Sequence, residues 1–206
     1  MPVALGWPDR DRLWRRPLPM IEVSLGAWLR VSERHHASVV HFGKAATYRF
    51  DDPRGEYGVL YAGCNFLTSV AESILRDEVR TGARPVYLRD LDDRVIAALA
   101  PEDAKLSVVD LTEAIGIGLD NQIATTPDYA LTRAWSRALH DHPDAPDGLF
   151  FASRNYPKGQ AVAIFDRVLA RLRIVEAPGS RIALRKAHGY KDLLKLLEKS
   201  GIALRR

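Results

Sequence analysis

Short apolar runs bounded by turn residues recur along this chain, and helical patterns interrupt them at irregular intervals. Residues 57–62 (YGVLYA) and 161–165 (AVAIF) have the length and composition of buried strands. Residues 69–80 and 128–140 instead repeat apolar side chains at the spacing of an amphipathic helix. Because strands and helices do not alternate regularly, the pattern favours an α+β fold with a mixed sheet over a doubly wound parallel sheet.

The other elements follow from the same two periodicities. Residues 94–100 are apolar but ambiguous, whereas residues 171–176 and 181–184 alternate like a short hairpin around Pro178 and Gly179. The remaining predicted elements are strands at residues 25–31, 84–89, 106–110 and 147–153, a turn or short helix within 110–118, and an amphipathic helix at 190–199.

A chain of 206 residues is long enough to form one domain with a hydrophobic core of useful size. We expect a core domain at residues 21–170, with a C-terminal hairpin and helix, residues 171–206, packed on it. Residues 1–20 contain four prolines, which argue against a long helix. We expect them to form an extended arm whose tryptophans, Trp7 and Trp14, pack on the domain or on a partner.

The charge balance argues against a nucleic-acid-binding surface. The formal net charge is +4 and the sequence pI is about 9.3, values that fit an anionic ligand or an acidic partner. The positive excess is too small and too dispersed to indicate nucleic-acid binding. Charged residues stand where a signal peptide needs an apolar run, and no run has the length of a membrane span. We therefore expect a cytoplasmic protein without membrane contact.

The cysteine and histidine patterns predict neither a disulfide nor a metal site. Cys64 is the single cysteine, so no intramolecular disulfide can form. No Cys/His pattern has the spacing of zinc ligands. His35 and His36 are adjacent, and adjacent side chains point to opposite sides of an extended chain. We therefore expect both histidines to be exposed and no metal to be bound.

Candidate chemistry is concentrated in residues 48–73, YRFDDPRGEYGVLYAGCNFLTSVAES. Arg49 lies beside an aromatic residue, and this combination suits a phosphate with a flat ring nearby. Glu72 supplies a carboxylate, which suits a sugar hydroxyl or a cationic transition state. Together they predict a site for a nucleotide with a sugar and a pyrophosphate. The alternative for Arg49 is an ion pair with one of three nearby carboxylates, Asp51, Asp52 or Glu56.

Glu72 also has a purely structural interpretation. Ser69 and Glu72 have the spacing of a capping box, in which the glutamate binds a backbone amide at the start of a helix. On a helical wheel Glu72 lies beside Leu75 and Val79, at the edge of the apolar stripe, from which it can point toward a cleft. The two roles compete for the same carboxylate oxygens.

Four motifs in a fixed order resemble a known family, the RES domain: YRF at residues 48–50, VLYA at 59–62 after a glycine, AES at 71–73 and DGLFFASR at 147–154. The resemblance covers roughly Ala27 to Asp166. It implies a mixed, mainly antiparallel β core like that of ADP-ribosyltransferases, with flanking helices. It also implies an enzyme that consumes NAD and acts as the toxin of a type II toxin–antitoxin pair. One departure is Phe50, where the family often has tryptophan.

The resemblance implies roles for five residues, each with a structural alternative. Arg49 would clamp a phosphate of NAD, and Tyr61 would stack on nicotinamide or bind a ribose, unless it is a core tyrosine. Glu72 would stabilise the oxocarbenium-like centre that forms when the nicotinamide–ribose bond breaks. Ser153 would position the substrate by hydrogen bonding, or else cap a turn. Arg30 matches an arginine on an early strand of the family, or else is exposed on an edge strand.

The implied reaction cleaves NAD and transfers ADP-ribose to phosphate, water or a protein acceptor. The enzyme would accordingly be an NAD phosphorylase, an NAD glycohydrolase or a mono-ADP-ribosyltransferase. Its activity would arrest growth. NAD is expected as a substrate and not as a hydride carrier, because Gly55, Gly58 and Gly63 lack the spacing of a dinucleotide fingerprint. No metal is implied. Arg154 is an isolated further candidate for a phosphate contact.

The implied partner is an Xre-type antitoxin with a helix-turn-helix domain, which forms a hetero-oligomer with the toxin and makes any DNA contact itself. The N-terminal arm and the C-terminal helix lie outside the matched motifs and are the natural candidates for partner contacts. The alternative is a non-catalytic module that uses the same fold to bind a nucleotide or a partner.

Overall fold

A computed structural model describes residues 5–75 and 85–206 of the chain. Its strands are β1 (Met20–Ser24), β2 (Leu29–Glu33), β3 (Val59–Gly63), β4 (Val86–Tyr87), β5 (Arg94–Ala100), β6 (Lys105–Asp110), β7 (Gly148–Ala152), β8 (Gln160–Phe165), β9 (Val175–Glu176), β10 (Ile182–Ala183) and β11 (Leu204–Arg205). The main sheet has the order β1-β6-β7-β8-β3-β2-β5-β10, and β9 also pairs with β5. Its pairs are antiparallel except for β6 with β7, and β4 and β11 form a separate parallel pair.

Six α-helices accompany these strands in the described ranges: α1 (Arg10–Leu13), α2 (Phe66–Ala71), α3 (Leu88–Asp92), α4 (Gln122–Thr125), α5 (Tyr129–His140) and α6 (Tyr190–Lys199). Short 3-10 helices lie at Leu25–Ala27, Ala114–Ile117, Asp166–Ala170 and Leu184–Lys186. The prediction of an α+β fold with a mainly antiparallel sheet and flanking helices is thus confirmed. Among the helices described, none combines the length and apolarity needed to cross a bilayer.

The middle strands of the sheet are buried on both faces, which explains their continuous apolar sequence. Along β8, Ala163 and Phe165 join one core cluster while Val162 and Ile164 join another, as the two-residue period of a strand requires. Trp135 and its neighbours on α5 cover the first face. A third cluster lies where α2 and α6 pack on the sheet. The strand predicted at residues 161–165 is therefore confirmed as buried.

The sheet has a gap between β2 and β3. The two strands pair through one residue couple, Leu29 with Gly63. Beyond this couple, β2 stays paired with β5, whereas the other end of β3 forms an isolated bridge between Val59 and Gly43. The strands therefore separate from a common apex and leave a cleft that residues of both strands line.

Three predicted elements differ from the observed ones because long-range pairing sets their boundaries. The strand predicted at residues 25–31 begins at Leu29, after the 3-10 helix Leu25–Ala27. In the described part of residues 84–89, the strand is limited to β4 and the chain continues as α3. The ambiguous segment at 94–100 is strand β5, which pairs with β2 on one edge and with β10 on the other.

The helix predicted at residues 69–80 starts earlier than expected, and its predicted capping box does not form. α2 begins at Phe66, because Asn65 caps it by accepting a hydrogen bond from a backbone amide of the first turn at 2.9 Å. Glu72 is consequently the C-cap residue, at the opposite end of the helix from the one a capping box requires. Residues 76–80, the last part of the predicted helix, lie outside the described residues.

β9 and β10 do not pair with each other, so the predicted hairpin is wrong. Glu176 of β9 and Ile182 of β10 both pair with β5, along the edge that faces away from β2. Gly179, whose φ is +70°, lies between them in a conformation that favours glycine. Alternating apolar residues on both sides of a Pro-Gly turn are compatible with a hairpin. They are equally compatible with two short strands that pair one after the other with the same third strand. The division into residues 21–170 and 171–206 stays a prediction.

The N-terminal arm is held by its leucines and not by its tryptophans. Leu13 of α1 and Leu18 are buried in the core, whereas Trp7 is 66% and Trp14 is 42% exposed. The indole N–H of Trp135 in the domain donates to a backbone carbonyl oxygen of the arm at 2.8 Å. The arm also contains a helix, so it is not extended throughout. The prediction that the arm tryptophans pack on the domain is corrected, and their contact with a partner stays a prediction.

A buried carboxylate fixes the loop that precedes β3. Asp52 is 0% exposed, and its Oδ2 accepts hydrogen bonds from the backbone amides of Glu56 at 2.6 Å and Tyr57 at 3.3 Å. Arg137 of α5 places its Nη1 3.1 Å from Asp52 Oδ1 and also contacts two further carboxylates. This pairing is what allows a charge to be buried here.

Replacing Asp52 with asparagine is expected to lower the free energy of unfolding at pH 7 by about 2 kcal/mol, because a charge-assisted hydrogen bond to Arg137 is lost. Burial alone raises the pKa of Asp52, but hydrogen bonds from the Glu56 amide and from Arg137 outweigh it and hold the pKa below its ordinary 3.8. The carboxylate therefore stabilises the fold fully above pH 3.8, and this contribution disappears as the pH falls through the lower folded-state value.

Urea unfolding at pH 7 and at a series of acidic pH values measures both effects. The acid-induced loss of stability should be smaller in Asp52→Asn than in the unmodified protein. Asp103→Asn, the same change at an exposed position, is the matched control and should leave stability and its pH dependence unchanged. Equal stability of Asp52→Asn and the control would show that the buried carboxylate is not stabilising.

Candidate active site

Helix α2 closes the narrow end of the cleft between β2 and β3. The Ser69 hydroxyl lies 2.9 Å from the Leu29 carbonyl oxygen, and a Cβ on Gly63 would lie 2.5 Å from the Ser69 nitrogen. Residue 63 therefore has to be glycine for the helix to approach this closely. The side chain of Glu72 extends from the C-terminal end of α2 into the cleft. Negative side chains stabilise the other end of a helix, so helix stability does not explain a glutamate at this position.

Arg49 and Glu72 line the same small cavity at one side of the cleft. The cavity has a volume of about 20 Å³, which is enough for about one water molecule. The guanidinium and the carboxylate thus share a cavity as the predicted nucleotide site requires, but this cavity alone is far smaller than a nucleotide. The other lining residues are Tyr48, Tyr61, Ala124, Tyr129, Phe151, Arg154 and Asn155.

A larger cavity of about 320 Å³ fills the gap between β2 and β3 and shares Glu72, Tyr48 and Tyr61 with the small one. This volume lies within the range of pockets that bind small ligands. Arg30 lines it and bridges the gap, because its Nη1 donates to the Tyr61 carbonyl oxygen at 2.9 Å and its Nη2 to the His41 carbonyl oxygen at 3.1 Å. Glu72 therefore lies at the junction of two cavities, each of which contains an arginine.

Ser153 holds the carboxylate of Glu72. The Ser153 hydroxyl donates to Glu72 Oε1 at 2.6 Å, a length typical of a hydrogen bond to an ionised oxygen. The same hydroxyl accepts a hydrogen bond from the backbone amide of Tyr156 at 3.3 Å, so the turn after β7 orients it. Two residues that are 81 positions apart in sequence are thus brought into direct contact. The turn contact expected from the structural alternative and the contact with Glu72 are therefore both present.

Arg49 is buried, and part of its guanidinium already donates hydrogen bonds to the protein. The residue is 8% exposed; its Nη1 donates to the Thr126 carbonyl oxygen at 2.6 Å and lies 3.3 Å from that of Ile123. The guanidinium also lies over the ring of Tyr129, 4.9 Å from the centroid. Burial is the main influence that lowers the pKa of Arg49; the Tyr129 hydroxyl opposes it and the guanidinium of Arg154 adds to it. A ligand can therefore meet only the part of the guanidinium that faces the cavity.

The ion-pair alternative for Arg49 does not describe its surroundings. Within residues 5–75, where all four side chains lie, no ion pair joins Arg49 to Asp51, Asp52 or Glu56. Asp51 Oδ2 accepts hydrogen bonds from the backbone amides of Thr47 and of the next residue at 2.8 and 2.7 Å. The carboxylates of the acidic loop thus bind backbone donors, the Tyr61 hydroxyl and Arg137, and not Arg49.

Tyr61 lines both cavities, and its hydroxyl forms hydrogen bonds within the protein. The hydroxyl donates to Asp51 Oδ1 at 3.0 Å and accepts from the Phe50 amide at 2.8 Å. Its ring contacts the ring of Tyr48 edge to face, with centroids 5.9 Å apart. Of the two roles that the sequence predicts for Tyr61, this geometry favours stacking over a hydrogen bond to ribose. The residue lies in the middle of β3.

Comparison with known proteins identifies the family. The family model described as "RES domain" matches residues 27–185, which is most of the chain. The chain belongs to the RES domain family. The match continues beyond Asp166 and so includes β9 and β10. No curated protein sequence matches the chain at a significant level.

A solved structure has the same fold as this RES-domain protein. It is a chain of the crystal structure of the M. tuberculosis MbcT–MbcA toxin–antitoxin complex, with a TM-score of 0.62 and 16% sequence identity. The similarity covers 89% of this chain and 95% of that chain. At this identity the likeness concerns the fold alone.

Phe50, where the sequence resemblance implies tryptophan, lies in the core. It is fully buried, and its ring packs against Phe151 with centroids 4.9 Å apart. The residue after Arg49 thus belongs to the hydrophobic core and not to the wall of either cavity. The departure that the resemblance implies at this position therefore concerns the core and adds no group to the site.

Two residues of the small cavity, Arg154 and Tyr129, are indicated weakly or not at all by the sequence. Arg154 lines the cavity beside Arg49, and its buried Nη1 has no hydrogen-bond partner among the described residues. Tyr129 stacks on Arg49 from the first turn of α5. The position of Arg154 directly after Ser153 is the one signal that could have given it more weight. Nothing in the sequence distinguishes Tyr129 from other tyrosines of amphipathic helices.

Proposed function

We propose that this RES-domain protein is the toxin of a toxin–antitoxin pair and acts by cleaving the nicotinamide–ribose bond of NAD. Membership of the family and a fold shared with a chain of a toxin–antitoxin complex support the proposal. The observation that carries it is the position of Glu72. Ser153 holds this carboxylate at the junction of two cavities, and arginines line both of them.

In the proposed reaction NAD lies across this junction, with the ribose of its nicotinamide half beside Glu72. Guanidinium groups of the cavities bind its phosphate oxygens through charge-assisted hydrogen bonds and fix the dinucleotide relative to the carboxylate. As the bond breaks, its electron pair leaves with the nicotinamide nitrogen and positive charge develops on the ribose. The Glu72 carboxylate stabilises that charge, and the hydrogen bond from Ser153 keeps the carboxylate in place.

The small cavity has to widen for this reaction. Its volume of about 20 Å³ cannot contain half of a dinucleotide. Tyr48 lines both cavities and is exposed at the surface, and we propose that its side chain moves to join them. The closed cavity equally supports a second candidate function, in which the protein binds a nucleotide or a partner in the larger cavity without cleaving it.

The acceptor of ADP-ribose and the partner complete the proposal. Water, phosphate and a protein side chain are the three acceptors, and each gives a different product.

The partner is an Xre-type antitoxin that blocks the cleft, with the exposed tryptophans of the N-terminal arm as a candidate contact surface. The toxin would then act in the cytoplasm, where its substrate is available.

The test is incubation of the purified 206-residue chain with NAD, followed by mass spectrometry. Free ADP-ribose identifies water as the acceptor, phosphorylated ADP-ribose identifies phosphate, and a heavier protein identifies a side chain. Cellular NAD should fall before growth stops when the chain is expressed without its antitoxin. Stable NAD in both settings, together with binding of NAD to the purified chain, would favour the non-catalytic module. Normal growth at high expression would contradict the toxin.

A further inference from the structure

The turn after β2 brings three potential metal ligands together. The amide of His36 donates to the Glu33 carbonyl oxygen at 3.2 Å, so the chain turns where an extended segment was expected. The imidazole rings of His35 and His36 consequently lie on the same side, with centroids 4.3 Å apart. Both histidines are exposed, as the sequence predicts, but they do not point in opposite directions.

The distances between the three side chains suit one small cation. His35 Nδ1 lies 3.4 Å and His36 Nε2 lies 3.6 Å from the same oxygen, Glu33 Oε2, and all three atoms lie within 4.8 Å of one another. Ligand atoms about 2.0–2.2 Å from a tetrahedral zinc ion are about 3.3–3.6 Å apart. The observed separations need only small side-chain rotations to reach this geometry.

A neighbouring arginine orients the carboxylate of Glu33. Arg94 on β5 places its Nη1 2.7 Å from Glu33 Oε1, the other oxygen of the same carboxylate. Oε2 is thereby turned toward both imidazoles. In known metal sites, residues that do not bind the metal fix the orientation of the ligands by hydrogen bonding to them.

We propose that Glu33, His35 and His36 bind a divalent transition-metal ion, Zn²⁺ in the first place, at the rim of the larger cavity. Two imidazoles and one carboxylate are a set that Zn²⁺, Ni²⁺ and Cu²⁺ prefer, whereas Mg²⁺ and Ca²⁺ prefer oxygen ligands alone. Three protein ligands leave at least one coordination position for water or for a further ligand. Glu33 and His36 line the cavity that also contains Arg30, so the ion would add positive charge to its rim.

Titration calorimetry with zinc chloride on the tag-free chain tests the site. We expect saturable binding of one ion and a loss of affinity of at least about tenfold in His35→Ala and in His36→Ala, because each change removes a ligand. Co²⁺ in place of Zn²⁺ should give the visible absorption of a tetrahedral complex, and both variants should lose it. These side chains are at the surface, so the variants should fold normally, which circular dichroism would verify.

Two control variants separate this site from other zinc ligands. His188→Ala removes a histidine outside the cluster, and Cys64→Ser removes the single thiol; both should bind Zn²⁺ as the unmodified chain does. The site is disproved if the double variant His35→Ala/His36→Ala keeps its zinc affinity, or if Mg²⁺ binds as tightly as Zn²⁺. It is also disproved if no saturable zinc binding occurs. None of these outcomes bears on NAD cleavage.

Discussion

Replacing Glu72 with glutamine is expected to reduce NAD cleavage by about a hundredfold or more, because the charge that stabilises the developing ribose cation is removed. Glutamine has nearly the same shape, and its amide oxygen can still accept the hydrogen bond that Ser153 donates at 2.6 Å to the carboxylate. Affinity for NAD should therefore change little. Nicotinamide release measures turnover, and calorimetry with NAD measures binding.

Two further variants make this result specific. Ser153→Ala keeps the charge of Glu72 but removes the hydrogen bond that holds its carboxylate, so turnover should fall by a smaller factor of about ten, because the carboxylate is less well positioned. Glu198→Gln is the same chemical change on the exposed side of α6 and should leave turnover unchanged. Full activity of Glu72→Gln would disprove the proposed role. Absence of turnover in the unmodified protein, with NAD still bound, would favour the binding module.

The strands that could be predicted from the sequence are those whose apolar side chains face the core on both sides. Residues 161–165 and 147–153 are such runs, and their burial depends on composition more than on partners. The elements that were wrong depend on distant parts of the chain. β10 and β9 follow one edge of β5, a pairing that no local pattern specifies.

α2 shows how two local signals can compete. The sequence offers two acceptable helix starts. One is the capping box of Ser69 and Glu72, and the other is a cap by Asn65. Only the close approach of the helix to Gly63 distinguishes them. That approach depends on pairing between β2 and β3, which a helical pattern does not contain. The choice of Asn65 moves Glu72 to the C-terminal end of α2, where its side chain reaches the cleft.

The candidate site could be predicted as a set of residues but not as a geometry. Family motifs place Arg49, Tyr61, Glu72 and Ser153 in order along the chain, yet nothing in that order specifies the contact between Ser153 and Glu72. The division into a small and a larger cavity also depends on the gap between β2 and β3. The sequence does not reveal that Arg154 shares a cavity with Arg49, because this proximity arises only on folding.

Replacing Arg154 with methionine is expected to weaken NAD binding about ten- to hundredfold, since a charge-assisted hydrogen bond to a phosphate oxygen would be lost. Its Nη1 is buried beside the small cavity and, in the part of the chain that is described, has no protein partner to lose. Arg49→Met is a less specific test, because Arg49 also binds the Thr126 carbonyl oxygen at 2.6 Å and its loss should lower stability as well. Arg154→Met should therefore raise KM while the unfolding midpoint stays constant.

A matched control separates the contact at the site from the general loss of positive charge. Arg173→Met removes one charge at an exposed position and should leave KM unchanged. If Arg154→Met and Arg173→Met raise KM equally, the effect is long-range attraction, which should disappear at high salt. If neither variant changes KM, the small cavity does not receive the phosphates, and the pyrophosphate must lie on the side of Arg30. The pair of variants thus determines whether the pyrophosphate of the bound dinucleotide lies in the small cavity or on the side of Arg30.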